Sequence, residues 1–158
     1  MPGTASTAGS KVKQLAEPVY LFTYGTLRPS LYPGVPERFN VTPVGRGQLN
    51  GHFRMFNLGR FPALVESKPN GHPEDGAQIV GEVVATNKIN LVGRLDRYEG
   101  CNGDATARDG LYYRALYDVT LDSGEVLRAV WVYLQKPNPS RQIVEVTTGD
   151  WADQIPKG

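Results

Sequence analysis

Sulfur and imidazole are scarce in this 158-residue chain, which holds one cysteine, Cys101, and two histidines, His52 and His72. A single thiol excludes an internal disulfide, and one thiol with two distant imidazoles is too sparse a set for a zinc site. Such usage suits a reducing cytoplasm, the expected location. Charge of one sign is lacking too: 17 basic residues against 16 acidic leave +1, and no block of like charges is long enough to seek nucleic acid. No run approaches the ~20 apolar residues of a membrane span. The start, residues 1–13, is rich in Gly, Ser, Thr and Ala and holds no apolar stretch of the kind found in a signal peptide. The expectation is a soluble protein with a frayed N-terminus and neither a membrane nor a nucleic acid as partner.

Common catalytic signatures are missing as well. There is no G-x-S-x-G elbow, no phosphate-binding Walker loop and no H-E-x-x-H, and the Asn40-Val-Thr42 sequon has no secretory route to use it. Gly45-Arg-Gly-Gln-Leu-Asn-Gly51 is one residue too long for a dinucleotide fingerprint, and no helix pattern follows it. Cys101 has no histidine nearby in sequence to ionise it, which makes it a bystander rather than a nucleophile.

What is present reads as one domain. Residues 1–15 are expected to form a flexible tail, 16–152 the domain, and 153–158 a C-terminal tail. Pro18-Val-Tyr-Leu-Phe-Thr-Tyr24 is apolar and β-prone and stops at Gly25, as a buried strand does at a turn. Pro29, Pro33, Gly34 and Pro36 break regular structure, and Val44–Phe56 reads as a strand bent at its glycines. Short strands are expected over 61–65 and 78–86, with a surface loop over 67–76 between them. From Asn87 the period changes: Ile89, Val92, Leu95 and Tyr98, with Leu91 beside them, predict a helix capped by Thr86 or Asn87 and ended by Gly100. A polar loop over 102–110 follows. Leu111–Leu121 and Val126–Leu134 then form a hairpin through Asp122-Ser-Gly-Glu125. Strands with only one main helix among them argue for an α+β fold built on a small mixed or antiparallel β-barrel.

Two segments could carry chemistry. Tyr24-Gly-Thr-Leu-Arg28 follows a buried strand, so Gly25 can present bare N–H groups to an anion, although an ordinary tight turn would look the same. Leu95-Asp-Arg-Tyr-Glu-Gly100 places two carboxylates at a helix C-terminus, where the dipole disfavours negative charge; the alternative for each is a solvated side chain.

In this order, the strand ending in Tyr24-Gly-Thr-Leu27, the helix ending in Leu95-Asp-x-Tyr-Glu-Gly100 and the Leu-Tyr-Tyr-Arg114 strand resemble the gamma-glutamyl cyclotransferase-like family, in its gamma-glutamylamine cyclotransferase and avirulence-induced-protein branch. Gly81-Glu-Val83, Trp131-Val-Tyr133 and Gly149-Asp-Trp151 extend the resemblance over 19–151. It implies a small barrel with a cavity and an enzyme that releases 5-oxoproline from a gamma-glutamyl amine or peptide, with no cofactor and no metal. It further implies that Glu99 is the catalytic glutamate, that Tyr24, Gly25, Thr26 and Leu27 cradle the substrate, and that Tyr112 and Tyr133 face it. Arg114 is then a structural companion, and Asp96 a solvated or capping residue. The 102–110 loop, with Asp104, Arg108 and Asp109 near the cavity rim, departs from the family pattern. A non-catalytic member of the same fold that binds a small metabolite is the rival expectation.

Overall fold

Strand β1 (Val19–Thr23) is apolar along both faces because both are covered. In the computed structural model, which describes residues 17–57, 62–66, 77–99, 101–104, 112–135 and 144–155, with the backbone alone at 77 and 101–104, this strand is central. It pairs antiparallel with β4 (Ala77–Thr86), from Val19 opposite Thr86 to Thr23 opposite Glu82. On its other edge it runs parallel to β7 (Val126–Gln135), Leu21 opposite Trp131. β7 forms a hairpin with β6 (Tyr112–Leu121), whose turn is closed by the Leu121 N–H bonding the Glu125 carbonyl at 2.8 Å.

The long strand β2 (Thr42–Asn57) completes the circuit. It pairs with β4 along one edge and with β6 along the other, so that Gly47 lies opposite Gly81 on one side and Leu121 on the other. Five strands, in the order β1–β4–β2–β6–β7, thereby close on themselves and leave no free edge among them. Register shifts between Pro43 and Gly45 and between Leu49 and Phe53 bend β2 enough to serve both neighbours, the bulging expected from its glycines. β3 (Pro62–Glu66) and β8 (Val144–Glu145) add to the far end of β2.

Alternation sorts the apolar residues into two cores. Phe22, Leu49, Ile79, Val83, Val119, Val130 and Val132 fill the barrel interior. Leu21, Val84 and Tyr133, the intervening residues, point outward beneath two helical segments. Gly81 sits where walls come closest: a Cβ there would strike the Thr23 carbonyl oxygen and lie 2.5 Å from Phe22 Cζ. Gly81→Ala is therefore expected to destabilise the fold by about 1–3 kcal/mol, the usual cost of overpacking, read as a lower urea midpoint with an unchanged m-value.

Helix α1 (Val35–Phe39) lies within the proline-rich stretch where no regular element was expected. Pro36 starts this turn instead of breaking it, since its missing N–H is one that a first helical turn leaves unbonded. The main helix, α2, starts at Asn87, whose side chain accepts the Asn90 N–H at 2.8 Å, and runs through Lys88–Asn90, Leu91–Leu95 and Asp96–Glu99.

The buried face of α2 is not the one the three-residue repeat implied. Leu91 and Leu95 are buried, at 1% and 0% exposure, whereas Ile89 (86%), Val92 and Tyr98 are exposed. The middle segment is a π-turn, in which the Asp96 N–H reaches back five residues to the Leu91 carbonyl. That wide turn inserts about one residue, so every later position is turned back by about 100° relative to a regular helix. Glu99 is thereby carried onto the buried stripe of Leu91 and Leu95, and Tyr98 moves to its rim. The polar segment after Glu99 also begins differently from expectation: β5 (Cys101–Asp104) runs parallel to β6, Cys101 opposite Tyr112. The expected N-terminal tail, the 67–76 loop, the Gly100 terminator and the rest of the 102–110 loop lie outside the described residues. At the other end Ile155 packs against the barrel core.

Candidate active site

A cavity of about 350 Å³ opens at the end of β1, between that strand, α2 and the strands β6 and β7. Its wall includes Tyr24, Gly25, Thr26, Leu27, Glu99, Tyr112 and Tyr133, all the residues that the sequence picked out, together with Leu21, Phe22, Thr23, Pro62 and Tyr98. Among the described residues of this wall there is no lysine, arginine or histidine, and Glu99 is the one carboxylate. An anionic ligand group entering here can be met by backbone N–H groups.

The turn after β1 is shaped for that. The Arg28 N–H bonds the Gly25 carbonyl at 3.0 Å, and the amides of Gly25, Thr26 and Leu27 donate to no backbone carbonyl among the described residues. Gly25 is required by a neighbour: Pro62 presses on it so closely that a Cβ would lie 2.5 Å from Pro62 Cδ. What holds the turn is a buried ion network that sequence reasoning missed. Arg28 donates through Nε to Glu82 Oε2 at 2.8 Å and through Nη1 to Asp150 Oδ1 at 2.7 Å. Glu82 also accepts the Ser30 N–H at 2.9 Å, and the Thr23 hydroxyl donates to its main-chain carbonyl at 2.9 Å. Every lobe of the Arg28 fork that matters for the turn is thus bound to a carboxylate, which restricts the geometry as well as neutralising the charge. The available signal was an arginine five residues after a buried strand and a glutamate in the interior of another.

Three tyrosines supply the cavity wall with rings, and their hydroxyls turn to protein acceptors. Tyr24 donates to the Tyr133 carbonyl, Tyr112 to the Pro62 carbonyl at 3.2 Å, and Tyr133 to Asp96 Oδ1 at 2.6 Å. Burial pushes the Tyr24 hydroxyl well above its usual range, with the Tyr112 and Glu99 charges adding to it, so it stays protonated and donates.

Glu99 ends α2 facing this wall. Burial, and secondarily the negative charge of Asp96, raise its carboxyl from 4.5 to about 7. It keeps partial accessibility because it lines the cavity. A carboxyl that titrates near neutrality can both take up and release a proton at working pH.

Asp96 is not the solvated or capping residue expected. It is 4% exposed and accepts from Arg114 Nε at 2.9 Å and from Arg114 Nη2 at 3.0 Å. The π-turn that aims Glu99 inward also brings Asp96 against β6, where Arg114 awaits it with its guanidinium 4.6 Å over the Trp131 ring. The backbone of Cys101 lies beside Tyr112, and its side chain is outside the described residues. Gly47 serves barrel closure: a Cβ on it would lie 2.5 Å from the Thr120 carbonyl oxygen. Among the described residues no trio of His, Cys, Asp or Glu could hold a metal ion, and no helix is long and apolar enough to cross a membrane.

Fold and site together define a small closed β-barrel with one main helix, whose end delivers a glutamate into a cavity walled by tyrosines and bare backbone. The family described as gamma-glutamyl cyclotransferase, AIG2-like, matches residues 21–153, and the chain belongs to it. A relative from Methanocaldococcus jannaschii, named "Putative gamma-glutamylcyclotransferase MJ1514", is 29% identical over 134 residues, which are 85% of this chain and 96% of that one. The crystal structure of an AIG2-like protein from Mus musculus superposes with a TM-score of 0.57 at 19% identity, over 80% of this chain and 81% of that one. Protein c4763 of uropathogenic E. coli gives 0.57 at 17% identity, over 88% and 96%. At such identities these two structures speak for the fold.

Proposed function

We propose that this protein is a gamma-glutamyl cyclotransferase that releases 5-oxoproline from a gamma-glutamyl amine or peptide, with Glu99 as general base and then general acid. The observation that carries this reading is a carboxylate titrating at about 7, the one among the described residues of a cavity whose other described walls are tyrosines, apolar groups and a bare turn. Family membership and the name of the M. jannaschii relative support it.

The substrate brings its own nucleophile. The Glu99 carboxylate takes a proton from the substrate α-ammonium, and the freed amine attacks the γ-carbonyl carbon. A carbon–nitrogen bond forms and the oxygen becomes an oxyanion. As the oxyanion collapses, the bond to the acceptor nitrogen breaks and Glu99 returns the proton to the departing amine; the attacking nitrogen sheds its second proton, which the regenerated carboxylate takes up and passes to solvent. Products are 5-oxoproline and the free amine, with no water consumed. Well-oriented intramolecular attack can supply about 7–11 kcal/mol of the barrier. The cavity's work is therefore to hold the chain bent, and one proton carrier suffices, contributing typically ~10²- to 10⁴-fold. The amides of Gly25, Thr26 and Leu27 hold the α-carboxylate or the oxyanion, and the rings of Tyr112 and Tyr133 enclose the methylenes.

The test is 5-oxoproline release by purified protein from a panel that includes gamma-glutamyl-ε-lysine, gamma-glutamyl alkylamines and glutathione. Turnover of any member supports the reading. Inertness across the panel, with thermal stabilisation by the same compounds, would replace it by a binding protein of the same fold.

The base form of Glu99 is the one that starts the reaction, so kcat/KM is expected to fall about tenfold per pH unit below about 7 and to level off above it. A profile flat from about pH 5 to pH 8 would remove Glu99 as the base.

A further inference from the structure

The one buried carboxylate of α2 that the mechanism above leaves idle is Asp96, and it joins three elements. It belongs to the helix that ends in Glu99, three residues later. Its Oδ1 accepts both from Arg114 Nε of β6 at 2.9 Å and from the Tyr133 hydroxyl of β7 at 2.6 Å, and its Oδ2 accepts from Arg114 Nη2 at 3.0 Å. Arg114 faces Tyr133 directly across the β6–β7 ladder. We infer that Asp96 is the positioning residue of this site, clamping the helix end that carries Glu99 to the two strands that form the facing cavity wall.

Two consequences follow from the geometry, and both rest on the reading of Glu99 proposed above. With its hydroxyl proton donated to Asp96, Tyr133 presents its ring to the cavity at a fixed angle. The carboxylate also stands within electrostatic reach of Glu99 and adds to burial, the larger cause, in favouring the protonated form of that group. Among the described residues, the other titratable groups lining the cavity with Glu99 are Tyr24 from β1, Tyr112 from β6, Tyr133 from β7 and Tyr98 from its own helix, all phenols. The Arg114 guanidinium is engaged by Asp96 itself.

Asp96→Asn removes the negative charge and leaves Arg114 positive, so both changes favour the ionised form of Glu99. The acid limb of kcat/KM is expected to move down by about one pH unit, with kcat lowered about tenfold on the plateau because the base is weaker. The same displacement is expected in the Glu99 side-chain carboxyl resonance followed by carbon-13 NMR against pH. That signal is independent of turnover, so the role of Asp96 is decided even if the wild type proves inert on every gamma-glutamyl compound, a result that would sink only the proposed reaction. A limb and a resonance that titrate as in wild type overturn the inference. Should Asp96→Asn not fold, because Arg114 is left buried without its partner, Tyr133→Phe decides. It keeps the Asp96–Arg114 pair and removes one hydroxyl, so KM is expected to rise about fivefold through the loosened ring while the acid limb stays in place. A KM within about twofold of wild type would overturn the clamp.

Discussion

Glu99→Gln is expected to lower kcat for 5-oxoproline release by ~10²- to 10⁴-fold with the barrel intact, since an amide cannot relay the proton between the two nitrogens. The same substitution is expected to stabilise the protein. The folded-state carboxyl titrates at about 7 against 4.5 for the free group, so between these values the folded chain holds a proton that the unfolded chain has lost. Folding stability therefore falls as pH rises through that window, by up to about 3 kcal/mol at ~1.36 kcal/mol per pH unit. Below about pH 4.5 the group costs nothing, and above about 7 the full cost is present. Glutamine carries none of it, so the variant should melt higher than wild type at about pH 8 and alike at about pH 4. An inactive variant that gains stability only at the higher pH is the pattern of a functional group held against its solvation preference. Equal melting temperatures at both pH values would mean that Glu99 is solvated, and the catalytic assignment would go with it.

Gly25→Ala carries the second large effect. The added methyl would meet the Pro62 ring, with Cδ at 2.5 Å. A proline ring cannot swing aside as a long side chain can, and Pro62 belongs to β3. The turn itself must give, and Arg28, held by Glu82 and Asp150, resists at its far end. Displacement of the Gly25–Leu27 amides by about 1 Å is expected to cost ~10²-fold in kcat/KM. Since the turn binds substrate and oxyanion but carries no proton, the acid limb of the pH profile should remain that of wild type. Steady-state kinetics across pH check both statements. A fully active Gly25→Ala would show that the amides do not hold the substrate.

Much of this was legible in the chain because the signals are local. Strands announce themselves by apolar runs that end at Gly, Pro or Asn, and the hairpin at Asp122–Glu125 needed nothing beyond its turn residues. Glu99 at a helix end and the bare turn after β1 were visible as short motifs, and the cavity brings them together with Tyr112 and Tyr133. The closing of the barrel was legible only as a class. Which strand β2 meets on its second edge depends on the pairing of Gly47 with Leu121, far apart in sequence and written in no local pattern.

By itself the sequence determined the main strands and the existence of the main helix, the class of fold, and the two segments that could do chemistry, since each depends on residues within a few positions of one another. Only the tertiary structure decided the face of α2, because a three-residue repeat assumes a regular helix and one π-turn rotates everything after Leu95. The same turn converted Asp96 from a presumed surface acid into a buried partner of Arg114 and Tyr133, and separated its role from that of Glu99. Arg28, Glu82 and Asp150 likewise show their purpose only when three distant segments meet. The physical reason is common to all of them: a charge can be buried only where an opposite charge and enough donors converge on it, and that convergence is a property of the folded chain.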